Sequence, residues 1–232
     1  MLWGCIYMGG YKAIIFDLDD TLLNRDDAVD KIFFIILDKC YVDVEDTRRD
    51  QMLQKFKEYD RRDYGKSDKT GVFELFFDEF PPYNGLPVNN IQDFWNYNFP
   101  NCFSIDQNTL NILNTLKQRA RLALITNGTP QRQRAKINNT QLNSSFDTVI
   151  ISEEVGFSKP DKRIFELALN NLTVHPHEVL FVGDDLEKDI DGCQNAGIKG
   201  IWYNPLKVDN DTEIKPFAEI ISLDQLLSYF TK

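Results

Sequence analysis

Apolar residues are distributed along this chain in two patterns, short continuous runs and helical stripes. Continuous runs are typical of strands buried on both faces of a sheet, and they occur near residues 12–16 and at 121–125, 148–151, 179–182 and 200–202. Between the later runs, apolar residues recur at helical spacing at Ile164, Phe165, Ala168, Leu169 and Leu172, and again at Leu186, Ile190 and Cys193. Pro160 suits the first turn of the first helix, and Gly197 suits the C-terminus of the second. This alternation predicts an α/β fold with a doubly wound parallel sheet, a Rossmann-like core with helices on both faces.

The stretch between the first two strand runs is helical in pattern throughout. Apolar residues, many of them aromatic, keep helical spacing over 29–40, 72–80 and 88–95. We therefore predict a helical cap domain at 24–104, inserted into an α/β core made of 11–23 and 105–232. The aromatic stripes are expected to form the core of this inserted domain.

The composition is that of an ordinary globular protein. Of the 232 residues, 42% are hydrophobic and 27% are charged, which is enough for one sizeable core or for a core with a smaller inserted domain. The net charge of −10 argues against non-specific binding to nucleic-acid polymers or to anionic membranes. A small phosphorylated metabolite is still compatible with this charge, because a local metal ion and a lysine can reverse the potential inside one pocket.

The N-terminus and the cysteines point to the cytoplasm. Residues 1–8 are apolar, but they lack a basic n-region and are too few to span a bilayer, so we expect residues 1–10 to be a disordered leader or an upstream start that precedes Met8. The four cysteines, Cys5, Cys40, Cys102 and Cys193, form no CxxC pair and are expected to be buried apolar residues in a reducing compartment. We expect a cytoplasmic enzyme that is a monomer or a homodimer.

Polar clusters follow the predicted strands, at the ends where open α/β sheets build their sites. The first strand run leads directly into Asp17, Asp19 and Asp20. Crowded carboxylates repel one another, so a fold keeps them together only with a cation or a chemical use. Asp17 and Asp19 are two apart on extended chain, so both can face one pocket, which suits a nucleophile beside an acid/base partner and a hard divalent metal. The alternative is a solvated acidic turn.

Three further polar clusters follow the later strand runs. They are Thr126-Asn127-Gly128, Ser158-Lys159-Pro160-Asp161 before a helix, and Gly183-Asp184-Asp185 continuing to Asp189. In a parallel sheet, all of these ends meet at one edge. Their order and content resemble the haloacid dehalogenase superfamily, in the branch with a helical cap inserted after the first motif. The matching motifs are DxDxT from Asp17, a hydroxyl residue followed by Asn-Gly, a Lys-Pro pair, and the GDDxxxD loop. The resemblance implies a phosphatase, because Asp19 is the acid that dehalogenases of this superfamily lack.

Within this resemblance, two aspartates are expected to carry the chemistry. Asp17 would attack phosphorus and form an aspartyl-phosphate, and Asp19 would act as general acid and then as general base. Mg²⁺ would be held by the Asp17 carboxylate, the Asp19 backbone carbonyl, Asp184, a substrate oxygen and waters.

The phosphoryl group is expected to meet residues from two other motifs. The Thr126 hydroxyl and the Asn127 backbone N–H would donate to its oxygens, and Lys159 would add a positive charge beside phosphate and Asp17. In isolation, Lys159 would be read as a solvated lysine before a helix.

The sequence leaves two interpretations open for some of the remaining residues. Asp185 and Asp189 either orient Lys159 or metal-bound waters, or are helix-start carboxylates. Thr21 is expected to hold the turn by bonding to backbone. A basic-aromatic cluster in the inserted domain either meets the leaving group or is solvated surface at a helix end; its members are Arg61, Arg62, Tyr64, Lys66 and Lys69.

The leading hypothesis is a Mg²⁺-dependent phosphatase that hydrolyses a small phosphate monoester, such as a nucleoside monophosphate or a sugar phosphate. A phosphomutase of the same superfamily is one alternative. A receiver-like phospho-acceptor signalling module is another, since an acidic cluster, a threonine and a lysine on a parallel sheet also describe that class. The long insertion and Asp19 argue against the signalling module.

Overall fold

A computed structural model describes residues 10–66, 68–86 and 90–230, and within these ranges six strands form one parallel sheet. The strands are β1 (Ala13–Phe16), β2 (Arg121–Thr126), β3 (Thr148–Ile151), β4 (Val179–Gly183), β5 (Lys199–Tyr203) and β6 (Ala218–Ile220). Their order across the sheet is β3-β2-β1-β4-β5-β6, so β1 lies between β2 and β4. The predicted doubly wound parallel sheet is confirmed. Residues 1–9, with Cys5 and nearly all of the predicted leader 1–10, lie outside the described residues.

Helices connect the strands and fill the long stretch after β1. They are α1 (Arg25–Cys40), α2 (Asp46–Arg62), α3 (Thr70–Glu79), α4 (Ile91–Asn98), α5 (Gln107–Lys117), α6 (Pro130–Asn139), α7 (Ser152–Val155), α8 (Lys162–Leu172) and α9 (Gly192–Asn195). Segments of 3₁₀-helix occupy Phe99–Cys102, Leu142–Ser145, Pro176–Glu178 and Leu223–Phe230, and Leu186–Asp191 is a π-helix. In the described part of the chain, no helix combines the length and the apolar character needed to cross a bilayer.

The strands are continuously apolar because both faces of the sheet are covered. On one face, Ile15 and Phe181 pack in a buried cluster with Phe165 of α8. Residues that alternate with these point to the opposite face, where the Phe16 ring meets the Phe146 ring at a centroid distance of 6.3 Å. Helix α5 also packs on β2. A sheet covered in this way leaves only its edges and strand ends for polar chemistry.

The described part of the chain divides into two compact units. The first contains residues 10–23, 105–130 and 141–230, and the second contains the described residues of Asn24–Ser104 together with Gln131–Thr140. The division falls at the same two positions as the predicted boundaries of the inserted domain. It differs in giving most of α6 to the helical unit, an assignment that no pattern in the sequence indicated.

The helical unit has an aromatic core, as the stripes predicted. Its fully buried rings include Phe33, Phe56, Phe73, Phe76 and Trp95. Several of these rings meet edge to face, the geometry that aromatic pairs favour. Val88, at the start of the third stripe, lies outside the described residues.

The ends of two helices test the positions predicted for Pro160 and Gly197. Pro160 was expected in the first turn of a helix, and this is wrong: α8 begins at Lys162, and its N-cap is Asp161, whose side chain accepts a hydrogen bond from the Arg163 N–H. Pro160 therefore precedes the cap. Gly197 has a φ of +77° just beyond α9, which confirms it as the glycine that ends that helix.

The described cysteines are free thiols in the interior. Cys40, Cys102 and Cys193 are buried and unbridged. Burial raises the pKa of the Cys40 and Cys102 thiols to about 11, so neither is a thiolate at neutral pH.

Candidate active site

Asp17 is the first residue after β1, at the centre of the sheet's carboxyl edge. Its backbone N–H donates to the Val182 carbonyl at 2.9 Å, which continues the pairing of β1 with β4 by one residue. Leu18 is fully buried, and its carbonyl accepts from the Leu22 and Leu23 N–H groups at 3.0 and 2.9 Å, so the chain turns immediately afterwards. The Asp17 carboxylate is thereby fixed at the end of a strand, with only 6% of the residue exposed.

Lys159 lies in the loop before α8, and its side chain reaches the end of β1. Its Nζ donates to Oδ1 of Asp17 and, at 2.6 Å, to Oδ1 of Asp189. Lys159 is 5% exposed, so the interpretation as a solvated lysine is wrong. One buried ammonium group therefore bridges two buried carboxylates that come from different strand ends.

The side chain of Asn127 ties the loop after β2 to the loop that carries Lys159. Its Nδ2 donates to the Lys159 carbonyl at 3.0 Å, and its Oδ1 accepts from the Lys159 N–H at 3.0 Å. Thr126, the last residue of β2, is 1% exposed at the same edge. The sequence suggested a role only for the Asn127 backbone N–H, because nothing in a linear pattern marks a side-chain bond to a residue 32 positions away.

The acidic loop after β4 is folded tightly around Asp189. A Cβ on Gly183 would overlap the Asp189 carboxylate, so only glycine fits at the end of this strand. The second oxygen of Asp189, Oδ2, accepts from the Asp185 N–H at 3.2 Å. Asp185 is itself the N-cap of the π-helix, accepting from the N–H groups of Glu187 and Lys188, which favours the helix-start interpretation of Asp185.

Asp184 is held through both its side chain and its backbone. The Thr21 hydroxyl donates to Asp184 Oδ1 at 3.1 Å. The expectation that Thr21 bonds to backbone is therefore wrong. The Trp202 indole Nε1 donates to the Asp184 carbonyl at 2.8 Å. Trp202 was not a candidate from the sequence, since an aromatic residue inside a strand predicts only a core position.

Asp19 and Asp20 form the turn that follows Asp17. Asp19 makes an isolated bridge with Leu23, and the Asp20 N–H donates to the Leu23 carbonyl at 2.7 Å. Asp20 has a φ of +61°, a conformation that aspartate tolerates better than most residues. Both aspartates are half-buried and directly follow the buried pair Asp17 and Leu18, and neither belongs to the cluster that Asp17 forms with Asp184 and Asp189.

The electrostatics of the site are dominated by buried negative charge. One carboxylate oxygen from each of Asp17, Asp184 and Asp189 lies within 4.8 Å of the others. Burial raises the pKa of Asp17 well above its ordinary value, and the neighbouring Asp189 and Asp184 add to this while Lys159 opposes it. Burial, followed by repulsion from Asp189 and Asp20, raises the pKa of Asp184 to about 7. Burial alone would lower the pKa of Lys159, but Asp17 and Asp189 outweigh it and raise that pKa.

This donor set fits a hard divalent cation. Both oxygens of Asp189 already accept hydrogen bonds, from Lys159 and from the Asp185 N–H. Asp17 and Asp184 each use one oxygen, for Lys159 and Thr21, and within the described residues the other oxygen of each accepts no hydrogen bond. Carboxylate oxygens are the ligands that Mg²⁺ prefers, and added positive charge would offset the repulsion that raises both pKa values.

The basic-aromatic cluster of the helical unit does not stay together as one patch. Arg61, Arg62 and Lys66 are exposed and pair with the acidic residues Asp26, Glu58 and Asp63 in turn. Lys69 differs: it is 2% exposed, its Nζ lies 3.2 Å from Asp60 Oδ1, and it donates to the Asp63 carbonyl at 2.6 Å. The Tyr64 ring lies under the Arg25 guanidinium at 5.0 Å. These contacts favour solvated surface for the three exposed residues and an internal ion pair for Lys69.

A parallel α/β sheet that gathers a buried aspartate, a lysine and an acidic loop at its carboxyl edge has the arrangement expected of the superfamily named above. A sequence model described as haloacid dehalogenase-like hydrolase matches residues 14–203. The chain belongs to this family.

Named relatives agree with that assignment, and a solved structure shares the fold. The chain is 31% identical to glyceraldehyde 3-phosphate phosphatase of Pyrococcus furiosus, covering 93% of this chain and 91% of the relative. It is 30% identical to the pyrimidine 5'-nucleotidase YjjG of Escherichia coli, covering 92% and 95%. A crystal structure of the HAD-hydrolase YfnB of Bacillus subtilis bound to magnesium shares the fold, with a TM-score of 0.74 at 23% identity over 96% of this chain and all of that one.

Proposed function

We propose that this protein is a Mg²⁺-dependent phosphatase that hydrolyses a small phosphate monoester through an aspartyl-phosphate on Asp17. The observation that carries the proposal is the position of the buried Asp17 carboxylate, bonded to Lys159 and within 4.8 Å of the carboxylates of Asp184 and Asp189. The broader class, a phosphoric monoester hydrolase, was predicted from the sequence and is confirmed by the named phosphatase and nucleotidase relatives.

Asp17 supplies the nucleophile in this proposal. A carboxylate oxygen of Asp17 forms a bond to phosphorus while the ester P–O bond breaks. Burial opposes ionisation of Asp17, and the hydrogen bond from Lys159 favours it. Lys159 therefore favours the charged form of the attacking group and also places a positive charge beside the entering phosphoryl group.

Asp19 supplies the proton transfers. It protonates the leaving oxygen as the ester bond breaks, and it then takes a proton from the water that attacks the aspartyl-phosphate. Its place two residues after Asp17 and its partial exposure allow contact with both the leaving group and solvent. The products are the alcohol, inorganic phosphate and the regenerated Asp17 carboxylate.

The phosphoryl oxygens are held by groups from the end of β2. The Thr126 hydroxyl and the Asn127 N–H donate to them, and the Asn127 side chain fixes the Lys159 backbone at the same time. Asn127 therefore links phosphate binding to the placement of the lysine.

The metal would be held by the carboxylates of Asp17 and Asp184 and by the backbone carbonyl of Asp19. A divalent cation bound there supplies positive charge that offsets the repulsion between these carboxylates and a phosphate dianion. Asp189 does not need to serve as a ligand, because it holds Lys159 and the start of the acidic loop.

The substrate class follows from the relatives and from the charge of the chain. Relatives that match more than nine-tenths of the chain act on glyceraldehyde 3-phosphate and on pyrimidine nucleotides, as their names state. The net charge of −10 disfavours polymeric nucleic acid. We infer that the partner is a small phosphorylated metabolite, a nucleoside monophosphate or a sugar phosphate, met in the cytoplasm.

The test is steady-state phosphate release from a panel of nucleoside monophosphates, triose and hexose phosphates and phosphoserine. We expect many turnovers per enzyme with Mg²⁺, complete loss with excess EDTA, and recovery when Mg²⁺ is restored. Sustained hydrolysis would exclude the receiver-like module, which would acquire a single phosphoryl group. Isomerised sugar phosphate without free phosphate would favour the phosphomutase, and full activity in EDTA would contradict the metal site.

A further inference from the structure

Trp202 lies on β5, next to the strand that delivers the acidic loop. In the parallel pairing of β4 with β5, Trp202 stands opposite Gly183, the residue just before Asp184. The tryptophan is 4% exposed, and its Nε1 donates to the Asp184 carbonyl at 2.8 Å. The bond therefore joins a core side chain to the first residue that leaves the sheet.

We infer that Trp202 is a positioning residue that fixes Asp184 for cation binding. This inference rests on the proposed function, since it concerns the metal that the proposed phosphatase requires. The role belongs to the hydrogen bond from the indole N–H and is separate from the packing of the aromatic ring.

Asp184 needs such a restraint because its own charge works against its position. One of its carboxylate oxygens lies within 4.8 Å of a carboxylate oxygen of Asp17 and of one of Asp189, so the negative charges of the three groups repel one another. A loop carrying this carboxylate would relax outward unless its backbone were held. The Thr21 hydroxyl restrains only one carboxylate oxygen, whereas Trp202 restrains the main chain.

Trp202 is suited to this task because it is anchored by packing in the sheet. Its strand is paired on both sides, with β4 and with β6. The donor therefore moves little with respect to the carbonyl, and partners that orient ligands from behind commonly change metal affinity by about 10–100-fold when they are removed.

The chain offers a matched control in Trp95. This tryptophan is also buried, but within the described residues its Nε1 has no hydrogen-bond partner, and its ring stacks on Phe99 at 4.1 Å in the helical unit. Trp95→Phe and Trp202→Phe therefore remove the same atoms from buried sites. Only Trp202→Phe removes a hydrogen bond to a residue of the acidic loop.

The experiment is calorimetric titration of the full-length, metal-stripped proteins with Mg²⁺. We expect the Kd of Trp202→Phe to rise by about 10-fold or more relative to wild type, and the Kd of Trp95→Phe to stay unchanged. A variant with 3-benzothienylalanine at position 202 keeps the shape of the indole and lacks the N–H, so it tests the same bond if the phenylalanine variant does not fold. We expect it to show the same loss.

The outcomes distinguish a failure of the positioning role of Trp202 from a failure of the proposed metal site. Wild-type affinity in both Trp202 variants would overturn the positioning role and leave the phosphatase intact. Equal weakening in Trp95→Phe and Trp202→Phe would also overturn it, by showing a general effect of lost packing. Absence of Mg²⁺ binding in the wild-type protein would contradict the inference and the proposed metal site together.

Discussion

Replacement of Asp17 by asparagine should lower kcat for phosphate release by at least about 10³-fold, because the amide cannot form the aspartyl-phosphate. The geometry makes this the largest single effect on activity. Asp17 is buried at the end of β1, and its carboxylate accepts a hydrogen bond from the Lys159 Nζ. A neighbouring carboxylate could therefore reach the same position only if the backbone moved.

The same substitution should leave the fold intact. Lys159 keeps its bond to Asp189, so the ammonium group is not left without a partner. The neutral amide also removes one of the buried charges that crowd this edge of the sheet, where repulsion from Asp184 and Asp189 helps to raise the pKa of Asp17. The thermal midpoint of the metal-free variant should therefore equal or exceed that of the wild type, as is common when a charged catalytic group is replaced.

The matched control is Asp106→Asn. Asp106 is the N-cap of α5 and accepts from the Thr109 N–H at 2.9 Å, a bond that asparagine can replace. We expect this variant to turn over at the wild-type rate. Near wild-type turnover in Asp17→Asn would remove Asp17 from the role of nucleophile, whereas loss of far-ultraviolet circular dichroism in that variant would contradict the expected stability.

In the metal-free protein, the free energy of unfolding should fall as the pH rises from about 5 to about 7. In this range the folded protein binds more protons than the unfolded chain, because the pKa of Asp184 is about 7 in the fold and 3.8 is its ordinary value. Asp17 contributes with the same sign. A group whose pKa is raised in the fold contributes stability that is complete below its unfolded-state pKa and is lost as the pH passes its folded-state pKa. The difference between the two pKa values of Asp184 sets an upper bound of about 4 kcal/mol on the loss.

Two carboxylates with strongly lowered pKa values, Asp161 and Glu178, do not add to this pH dependence of stability. The pKa values of Asp161 and Glu178 are lowered to about 2 by hydrogen bonds from Arg163 and Lys12. Both groups are therefore ionised in the folded and the unfolded chain above about pH 5 and contribute no slope there. The measurement is urea unfolding in EDTA at several pH values.

Excess Mg²⁺ should abolish the loss, because a bound cation favours the ionised carboxylates. Asp184→Asn should reduce the pH dependence of stability in EDTA, leaving the part that Asp17 contributes. Asp185→Asn should keep it, since burial would raise the pKa of Asp185 but its bonds to Lys188 outweigh this and lower it. Stability that rises with pH in the metal-free wild type would contradict the described electrostatics.

The elements that deliver the site could be predicted from the sequence because they depend on periodicity. The apolar runs that became β1, β2 and β4 are continuous, and parallel strands in an open sheet end at one edge. That rule brings the loops that carry Asp17 and Lys159 to one edge of the sheet, although the two residues are 142 positions apart. Strand β6 escaped prediction because only one of its three residues, Ile220, is buried.

The contacts inside the site could not be predicted, because they depend on how loops fold back. Asn127 bonds to the Lys159 backbone, Thr21 bonds to a carboxylate, and Trp202 bonds to a loop carbonyl. Asn127 and Thr21 had other expected partners, and Trp202 has the same sequence signature as any core tryptophan. Asp189 was identified as a candidate, but its two simultaneous bonds depend on the close approach allowed by Gly183.

The most direct test of the central claim is to locate the phosphoryl group during turnover. The wild-type protein is mixed with Mg²⁺ and its best substrate, quenched in acid within one turnover, digested and sequenced by mass spectrometry. The account predicts one added phosphoryl group on Asp17, absent from the same peptide of Asp17→Asn. Phosphate release with no acyl-phosphate, or with the phosphoryl group on another residue, would contradict it.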